Sequence, residues 1–331
     1  MNSNSLENIP YDFELGSIIN FLKSKNAKSI LIQLPDGLKH YFPYISSELK
    51  KRVPELKIYL SGHPTYGPCT VDEESAKELG VDIIIHFGHL EYPFYTPKYE
   101  TIFIPAKSKL RIGQEPLLKL KEILEEKSCK SVAISSPAQH LNILSSIALE
   151  LKSYGFDVNI AKQPILGCYY NPALSYEVDA HIVVAGGAFH AIGMWLASQK
   201  PTIRVDPYES RVEDITFTAM SILKKRLWRI HMAMDSYKWA IIDGAKGQSR
   251  TNIVKKLEEQ LLEKGLEYIV VKANRIDAEL LRNLGTSIDA YIITACPRIA
   301  IDDLSDFEKP VLAPGEAYYA LGMKKRYVFP W

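Results

Sequence analysis

Three stretches of this chain share one pattern: VDIIIHFGH (residues 81–89), DAHIVVAGGAFH (residues 179–190) and IDAYIITACP (residues 288–297). Each sets an Asp before a short run of apolar, often β-branched residues and ends in Gly or Cys. An apolar run of this length, bounded by turn residues, reads as a strand buried on both faces, as parallel sheets require. The same elements surround each copy. KSILIQL (residues 28–34), KSVAIS (130–135) and KWAIID (238–243) read as first strands, each followed by an amphipathic helix and a second short strand. ETIFIPA (100–106), TIRVDP (202–207) and PVLAP (310–314) read as fourth strands. Strands alternating with helices predict an α/β fold with mostly parallel sheets. The anchoring Asp82, Asp179 and Asp289 lie 97 and 110 residues apart. That period is longer than a solenoid unit and matches a small domain. Length alone suggests two domains for 331 residues; the repeat predicts three related ones, at 1–110, 111–208 and 209–331.

Composition narrows the function. Forty Lys and Arg against 39 Asp and Glu leave a net charge of +1, which argues against a broadly basic nucleic-acid surface. With 47% hydrophobic and 24% charged residues the chain is neither disordered nor fibrous. No apolar run approaches the roughly 20 residues of a membrane helix. The opening MNSNSLENIP lacks the basic and apolar regions of a signal peptide. The expectation is a cytoplasmic protein that binds neither membrane nor nucleic acid directly. EDITFTAMSILKKRLWRIHMAMDSY (residues 213–237) carries Lys224, Lys225, Arg226 and Arg229 among apolar residues at helical spacing. It reads as a core-packed helix with a solvated basic face.

The repeat sorts the four cysteines. Cys69, in HPTYGPCTVDEE, precedes its anchor Asp by 13 residues, and Cys168, in PILGCYYNPA, precedes its own by 11. Cys296 follows Asp289 by 7, at the end of the third strand. All three fall in loops beyond carboxyl ends of strands, where open α/β sheets place ligands. Packed about a pseudo-threefold axis, the repeats would bring one thiolate each to a central metal cluster. Three thiolates suit a 4Fe–4S cluster with one iron left open for substrate. Zinc held by three thiolates and a water is the competing chemistry. Cys129, in EEKSCKSV, lies outside these loops and reads as structural.

YGPCTVDEESAKELGVDIIIHFGH (residues 66–89), PILGC, GGAFHAIG (186–193), VDPY (205–208), ITACPRIAIDD (293–303) and PVLAPGE (310–316) closely resemble one family. It is that of the archaeal diphthamide-biosynthesis radical enzymes, the 2-(3-amino-3-carboxypropyl)histidine synthases. The resemblance runs from LIQLPDGL (31–38) to PGEAYYAL (314–321). It implies three related α/β domains, each giving one Cys to a 4Fe–4S cluster: here Cys69, Cys168 and Cys296, catalytic and metal-binding at once. It implies S-adenosylmethionine as co-substrate, and transfer of its 3-amino-3-carboxypropyl group by a radical route to a histidine of translation elongation factor 2. It also implies a homodimer and an electron donor. The CxxxCxxC motif of usual radical S-adenosylmethionine enzymes is absent, as in the family.

Further residues keep two readings each. Gly186 and Gly187 either present backbone N–H groups to the cofactor carboxylate at a helix start or form a plain turn. Asp206, followed by Pro207, is either a ribose acceptor or a helix cap. Gly244 and Gln248 in GAKGQ, and Gln33 and Asp36 in QLPDGL, either line the cofactor or make capping turns. Arg298 and Asp302 flank Cys296 as a thiolate-neutralising group or a surface pair. Glu316 has no assigned role. His86 and His89 are candidates for holding the substrate histidine, and His190 reads as a packing residue. Two other functions compete: a quinolinate-synthase-like 4Fe–4S enzyme, and a non-catalytic partner subunit.

Overall fold

A computed structural model describes residues 9–331, so the first eight residues of the MNSNSLENIP stretch lie outside the described residues. The described residues form two compact units, one reaching from residue 9 to 111 with 136–145, the other residues 112–135 with 146–331. These do not follow the repeat boundaries.

In the first unit the strands are β1 (Tyr11–Asp12), β2 (Ser29–Gln33), β3 (Lys57–Leu60), β4 (Ile83–Phe87), β5 (Thr101–Ile104) and β6 (Lys107–Ser108). A parallel sheet of order β3-β2-β4-β5 forms its centre, and β1 pairs antiparallel with β6. Ile30, Ile32, Ile83 and Ile85 face one core, with Ile18, Leu22, Ile45 and Leu49 from covering helices. Leu31 and Ile84 face a smaller core on the other side. Residues 136–145 join this unit because Asn142 donates to the Ser108 carbonyl at 2.9 Å and Gln139 donates to the Gly88 carbonyl.

The second unit holds two further sheets. β7 (Ser131–Ser135), β8 (Asp157–Ile160), β9 (Ala180–Val184), β10 (Thr202–Asp206) and β11 (Arg211–Asp214) take the order β11-β10-β9-β7-β8. β12 (Lys238–Gly244), β13 (Glu267–Ala273), β14 (Ala290–Ile293) and β15 (Val311–Leu312) take the order β13-β12-β14-β15. All neighbours are parallel except the β10–β11 pair. The expected helix over residues 213–237 begins only at Thr216, because Arg211–Asp214 pairs with β10 as an edge strand. One core, containing Met194, Leu196, Ala219, Ile230, Trp239, Leu257 and Tyr318, is shared by the helices of both sheets and merges them into one unit.

The anchor Asp has one job in all three sheets. Asp82 Oδ2 accepts the backbone N–H groups of Lys28 and Ser29 at 2.8 Å each, and Asp179 Oδ2 those of Lys130 and Ser131 at 2.8 Å each. Asp289 Oδ2 accepts those of Tyr237 and Lys238 at 3.1 and 2.8 Å. A carboxylate at the entry of each third strand therefore fixes the start of the neighbouring first strand and satisfies donors no ladder reaches. These bonds, those from Lys28 and Lys130 foremost, hold the Asp82 and Asp179 carboxyls below their ordinary value.

The basic face is not wholly solvated. Arg226 is 1% exposed, its Nε and Nη2 donating to the two Glu316 carboxylate oxygens at 2.8 and 2.6 Å. Nη1 and Nη2 also donate to the Ala300 and Val311 carbonyls, and Glu316 accepts the Ala313 N–H at 2.9 Å. Glu316, without a role in the sequence, is thus half of a buried ion pair that bolts this helix to the third sheet. Breaking it would strand a buried charge.

Candidate functional site

In the first unit, Cys69 sits in the loop between β3 and the helix Glu73–Leu79. Gly67 C=O accepts the Thr70 N–H at 3.1 Å and its hydroxyl at 2.8 Å, a tight turn that carries the thiol. The turn is tied to the sheet by Gln33. Its Nε2 donates to the Thr70 carbonyl at 2.6 Å and its Oε1 accepts the Asp72 N–H at 3.1 Å. Those two bonds fix the amide orientation, so His86 Nδ1, 3.0 Å from Gln33 Oε1, must donate. His86 Nε2 is then the acceptor facing His89 Nδ1 at 2.9 Å. Burial drives the His86 imidazole well below its ordinary value and His89 to about 4, so the pair is neutral near pH 7. Burial would raise the Asp72 carboxyl, but hydrogen bonds from Ser61, His63 and Ser75 outweigh it and hold the group below its ordinary value. Asp72 caps the following helix.

Cys168 occupies a different setting in the second unit. Leu166 and Tyr169 exchange backbone hydrogen bonds at 2.9 and 3.0 Å, leaving Gly167 and Cys168 at the tip of a two-residue turn. The Cys168 carbonyl accepts Trp331 Nε1–H at 2.9 Å, and the Trp331 ring lies 5.4 Å from the Arg250 guanidinium carbon. Gly167 is required: a Cβ there would lie 2.6 Å from the Phe189 ring and 3.2 Å from Arg298 Cγ. Arg298 therefore joins the Cys168 turn to the Cys296 turn, only two residues from Cys296. Its guanidinium stacks 4.0 Å over Phe189 and grips Asp302, with Nε at 2.6 Å and Nη2 at 2.9 Å from the carboxylate oxygens. Arg298 is 5% exposed, and its buried Nη1 meets no hydrogen-bond acceptor. Buried Tyr170 reports the same neighbourhood. Desolvation raises its phenol first, and the charges of Cys168 and Cys296 raise it further while Arg298 opposes them. Gly244 lies against the Cys296 approach, its Cβ position 2.7 Å from Ala295 Cβ and 2.8 Å from Gln248 Cβ.

The other sequence-predicted residues fall as follows. Gly187 has φ +68° and donates its N–H to Asp206 Oδ2 at 3.1 Å, at the entry of the helix Phe189–Ser198. Asp206 is buried, and its other oxygen accepts the Tyr208 and Glu209 N–H groups at 2.9 and 3.3 Å. It fixes the glycine loop from beneath, with Pro207 buried next to it. Asp36 is an exposed partner of Lys39 at 2.7 Å. His190 is half-buried beside Phe189, and Cys129 is buried. Asp243, which the motif reading passed over, collects the Arg250 N–H and the Ser249, Thr294 and Lys272 side chains and so shapes the loop of Gly244 and Gln248. Its position at the carboxyl end of a first strand was the available signal.

The donor set fits an iron–sulfur cluster. Cys69, Cys168 and Cys296 are half-buried, and in the second unit the unmatched guanidinium N–H of Arg298, two residues after Cys296, suits a sulfur or other anionic acceptor. Among the described residues no group of three or more His, Cys, Asp or Glu side chains stands close enough together to hold a metal ion.

The diphthamide synthesis protein family matches residues 34–328. The chain is similar to the 2-(3-amino-3-carboxypropyl)histidine synthase of Pyrococcus horikoshii, with 30% identity over 96% of this chain and 93% of that one. It is also similar to subunit 1 of the synthase of that name from Mus musculus, with 31% identity over 94% and 72% of the two chains. The crystal structure of Dph2 from Pyrococcus horikoshii with a 4Fe-4S cluster superposes with a TM-score of 0.86 at 27% identity, covering 97% of this chain and 94% of that one.

Proposed function

This chain belongs to the diphthamide synthesis family, and from that premise we propose that it is a 2-(3-amino-3-carboxypropyl)histidine synthase. It transfers the 3-amino-3-carboxypropyl group of S-adenosylmethionine, by a radical route, to one histidine of translation elongation factor 2, the first step of diphthamide biosynthesis. The near full-length likeness to a curated synthase and to a relative solved with a 4Fe-4S cluster carries this reading.

Cys69, Cys168 and Cys296 are the proposed cluster ligands, one from each of the repeats 1–110, 111–208 and 209–331, arranged with pseudo-threefold symmetry. When bound, the cluster supplies an electron and an open iron for the co-substrate. Arg298 neutralises thiolate charge, and its stacking on Phe189 and grip on Asp302 fix where that charge sits. Gly186 offers its backbone N–H to the methionine carboxylate at a helix start, while Gly187, its own N–H held by Asp206, shapes that loop with Asp206 and Pro207. Gly244 and Gln248 shape a second wall, and Gln33 and Asp36 belong to the loop that orders the Cys69 turn. Gln33 acts by position, through the Thr70 and Asp72 backbone. The enzyme works as a homodimer in the cytoplasm and takes its electron from an external donor.

The test is anaerobic. Dithionite-reduced protein is mixed with S-adenosylmethionine and elongation factor 2, and the factor is weighed by mass spectrometry. The expected result is a gain of one 3-amino-3-carboxypropyl group, lost in Cys69→Ala, Cys168→Ala and Cys296→Ala and kept in Cys129→Ala. Turnover of iminoaspartate with dihydroxyacetone phosphate instead would identify a quinolinate-synthase-like enzyme. A loaded cluster with no transfer would identify a partner subunit.

A further inference from the structure

We propose that His89 holds the substrate histidine: its Nε2 accepts the N–H of the target imidazole and so fixes which edge of that ring meets the transferred group. The role rests on the function proposed above, which names an acceptor histidine but gives it no partner.

A buried relay sets the direction of the His89 ring. Gln33 and His86 are both 0% exposed and stand at paired positions of β2 and β4. Two backbone bonds orient the Gln33 amide, with Nε2 on the Thr70 carbonyl and Oε1 on the Asp72 N–H. Oε1 only accepts, so His86 carries its proton on Nδ1. A neutral imidazole has one N–H, which leaves His86 Nε2 a bare acceptor. His89 must then donate to it from Nδ1, at 2.9 Å. The Phe87 carbonyl, the ring's other polar contact, can only share that same N–H. His89 Nε2 is left with a lone pair, and among the described residues no donor meets it. Burial holds this imidazole at about 4, so protonation does not remove the lone pair near neutral pH.

The lone pair also stands in the right place. His89 follows the carboxyl end of β4 by two residues and is partly exposed, although the relay behind it is sealed. Open α/β sheets bind their ligands at that end. The amide that begins the relay is the one that holds the Cys69 turn through Thr70. One buried side chain therefore fixes both the thiol-bearing turn and the direction of the acceptor. Packing alone would be served by either tautomer; an acceptor with a fixed direction calls for a donor. In a 2-(3-amino-3-carboxypropyl)histidine the new bond is on carbon 2, between the two ring nitrogens. Holding one nitrogen through its N–H places that carbon, and the opposite edge of a neutral ring, which offers a lone pair, is repelled.

The test uses the full chain, anaerobically loaded with iron and sulfide and reduced, with S-adenosylmethionine and elongation factor 2. Cleavage of the co-substrate's carbon–sulfur bond releases 5′-methylthioadenosine, and transfer adds mass to the factor. Wild type should give the two in equal amounts. His89→Phe should still release 5′-methylthioadenosine but lose transfer by about tenfold, the worth of one hydrogen bond. His89→Gln, whose amide oxygen is again a neutral acceptor, should restore transfer. Full transfer by His89→Phe, or loss of release together with transfer, would overturn the role while leaving the proposed function standing. A wild type that makes neither product would overturn that function and the role with it. Nitrogen NMR of histidine-labelled protein reads the tautomer without turnover. The His89 signal, identified by its absence in His89→Gln, should show the proton on Nδ1, and a proton on Nε2 would by itself overturn the role.

Discussion

The Cys69 and Cys168 turns occupy equivalent places in the repeat, yet different forces hold them. The first is moored by a buried amide and neutral imidazoles, Gln33, His86 and His89, within its own sheet. The second is moored by an aromatic ring, a guanidinium and an indole, Phe189, Arg298 of the Cys296 turn and Trp331, none of them on its own sheet's strands. The repeat thus decides where a thiol falls, while local side chains decide what keeps it there. Disturbing one mooring should leave the other intact.

The largest effect should come from Gln33→Ala. It strands the Thr70 carbonyl, the Asp72 N–H and His86 Nδ1, at about 1–3 kcal/mol for each group left unmatched. We expect a loss on the order of 4 kcal/mol, seen as faster hydrogen exchange across residues 61–87 with residues 161–206 unchanged. Equal acceleration in both stretches would break the distinction.

Acid should follow. His89 in the first unit and His181 in the second are held to about 4 by burial. Their folded values lie below the ordinary 6.5, so the unfolded chain takes up protons first. Their contribution is full above that ordinary value and disappears as pH falls from about 6.5 to 4, each worth about 3 kcal/mol. Denaturant unfolding between pH 7 and 4 should show this decline, and His181→Leu should flatten it.

The two glycines beside the thiols give a sharper contrast. A Cβ at Gly167 meets the Phe189 ring at 2.6 Å, whereas one at Gly67 meets Cys69 Sγ at an ordinary 3.6 Å. Gly167→Ala should cost about 2 kcal/mol by overpacking, relieved by Phe189→Ala, and Gly67→Ala less than about 0.5. Thermal melts decide it. Trp331→Phe, which removes one hydrogen bond to the Cys168 carbonyl, should cost about 1 kcal/mol, less than Gly167→Ala.

Much of this frame was legible. Runs of β-branched residues gave the parallel strands, and a recurring Asp marked the repeat because each sheet needs a carboxylate at the same backbone gap. One cysteine in a loop near each of those Asp-led strands stood out beside them. The anchoring side chains did not. Gln33 reaches Thr70 across 37 residues and Arg226 reaches Glu316 across 90, contacts that only tertiary register creates. Arg226 read as solvated because charge runs usually are, and its burial depends on Glu316 matching it. Asp206 read either as a ribose acceptor or as a helix cap; it is buried and accepts the Gly187 N–H, a contact between two loops that spacing alone does not show. That the second and third sheets share one core was not legible, because helical spacing such as Val254, Leu257 and Leu261 marks a buried face without saying which sheet it meets.

Cluster ligation is tested most directly by iron and acid-labile sulfide per chain, with the low-temperature EPR of the reduced protein, after anaerobic reconstitution. Wild type and Cys129→Ala should hold four of each, and Cys69→Ala, Cys168→Ala and Cys296→Ala should each lose the cluster signal. A full cluster in any one of those three variants, or stoichiometric zinc in place of iron, would contradict it.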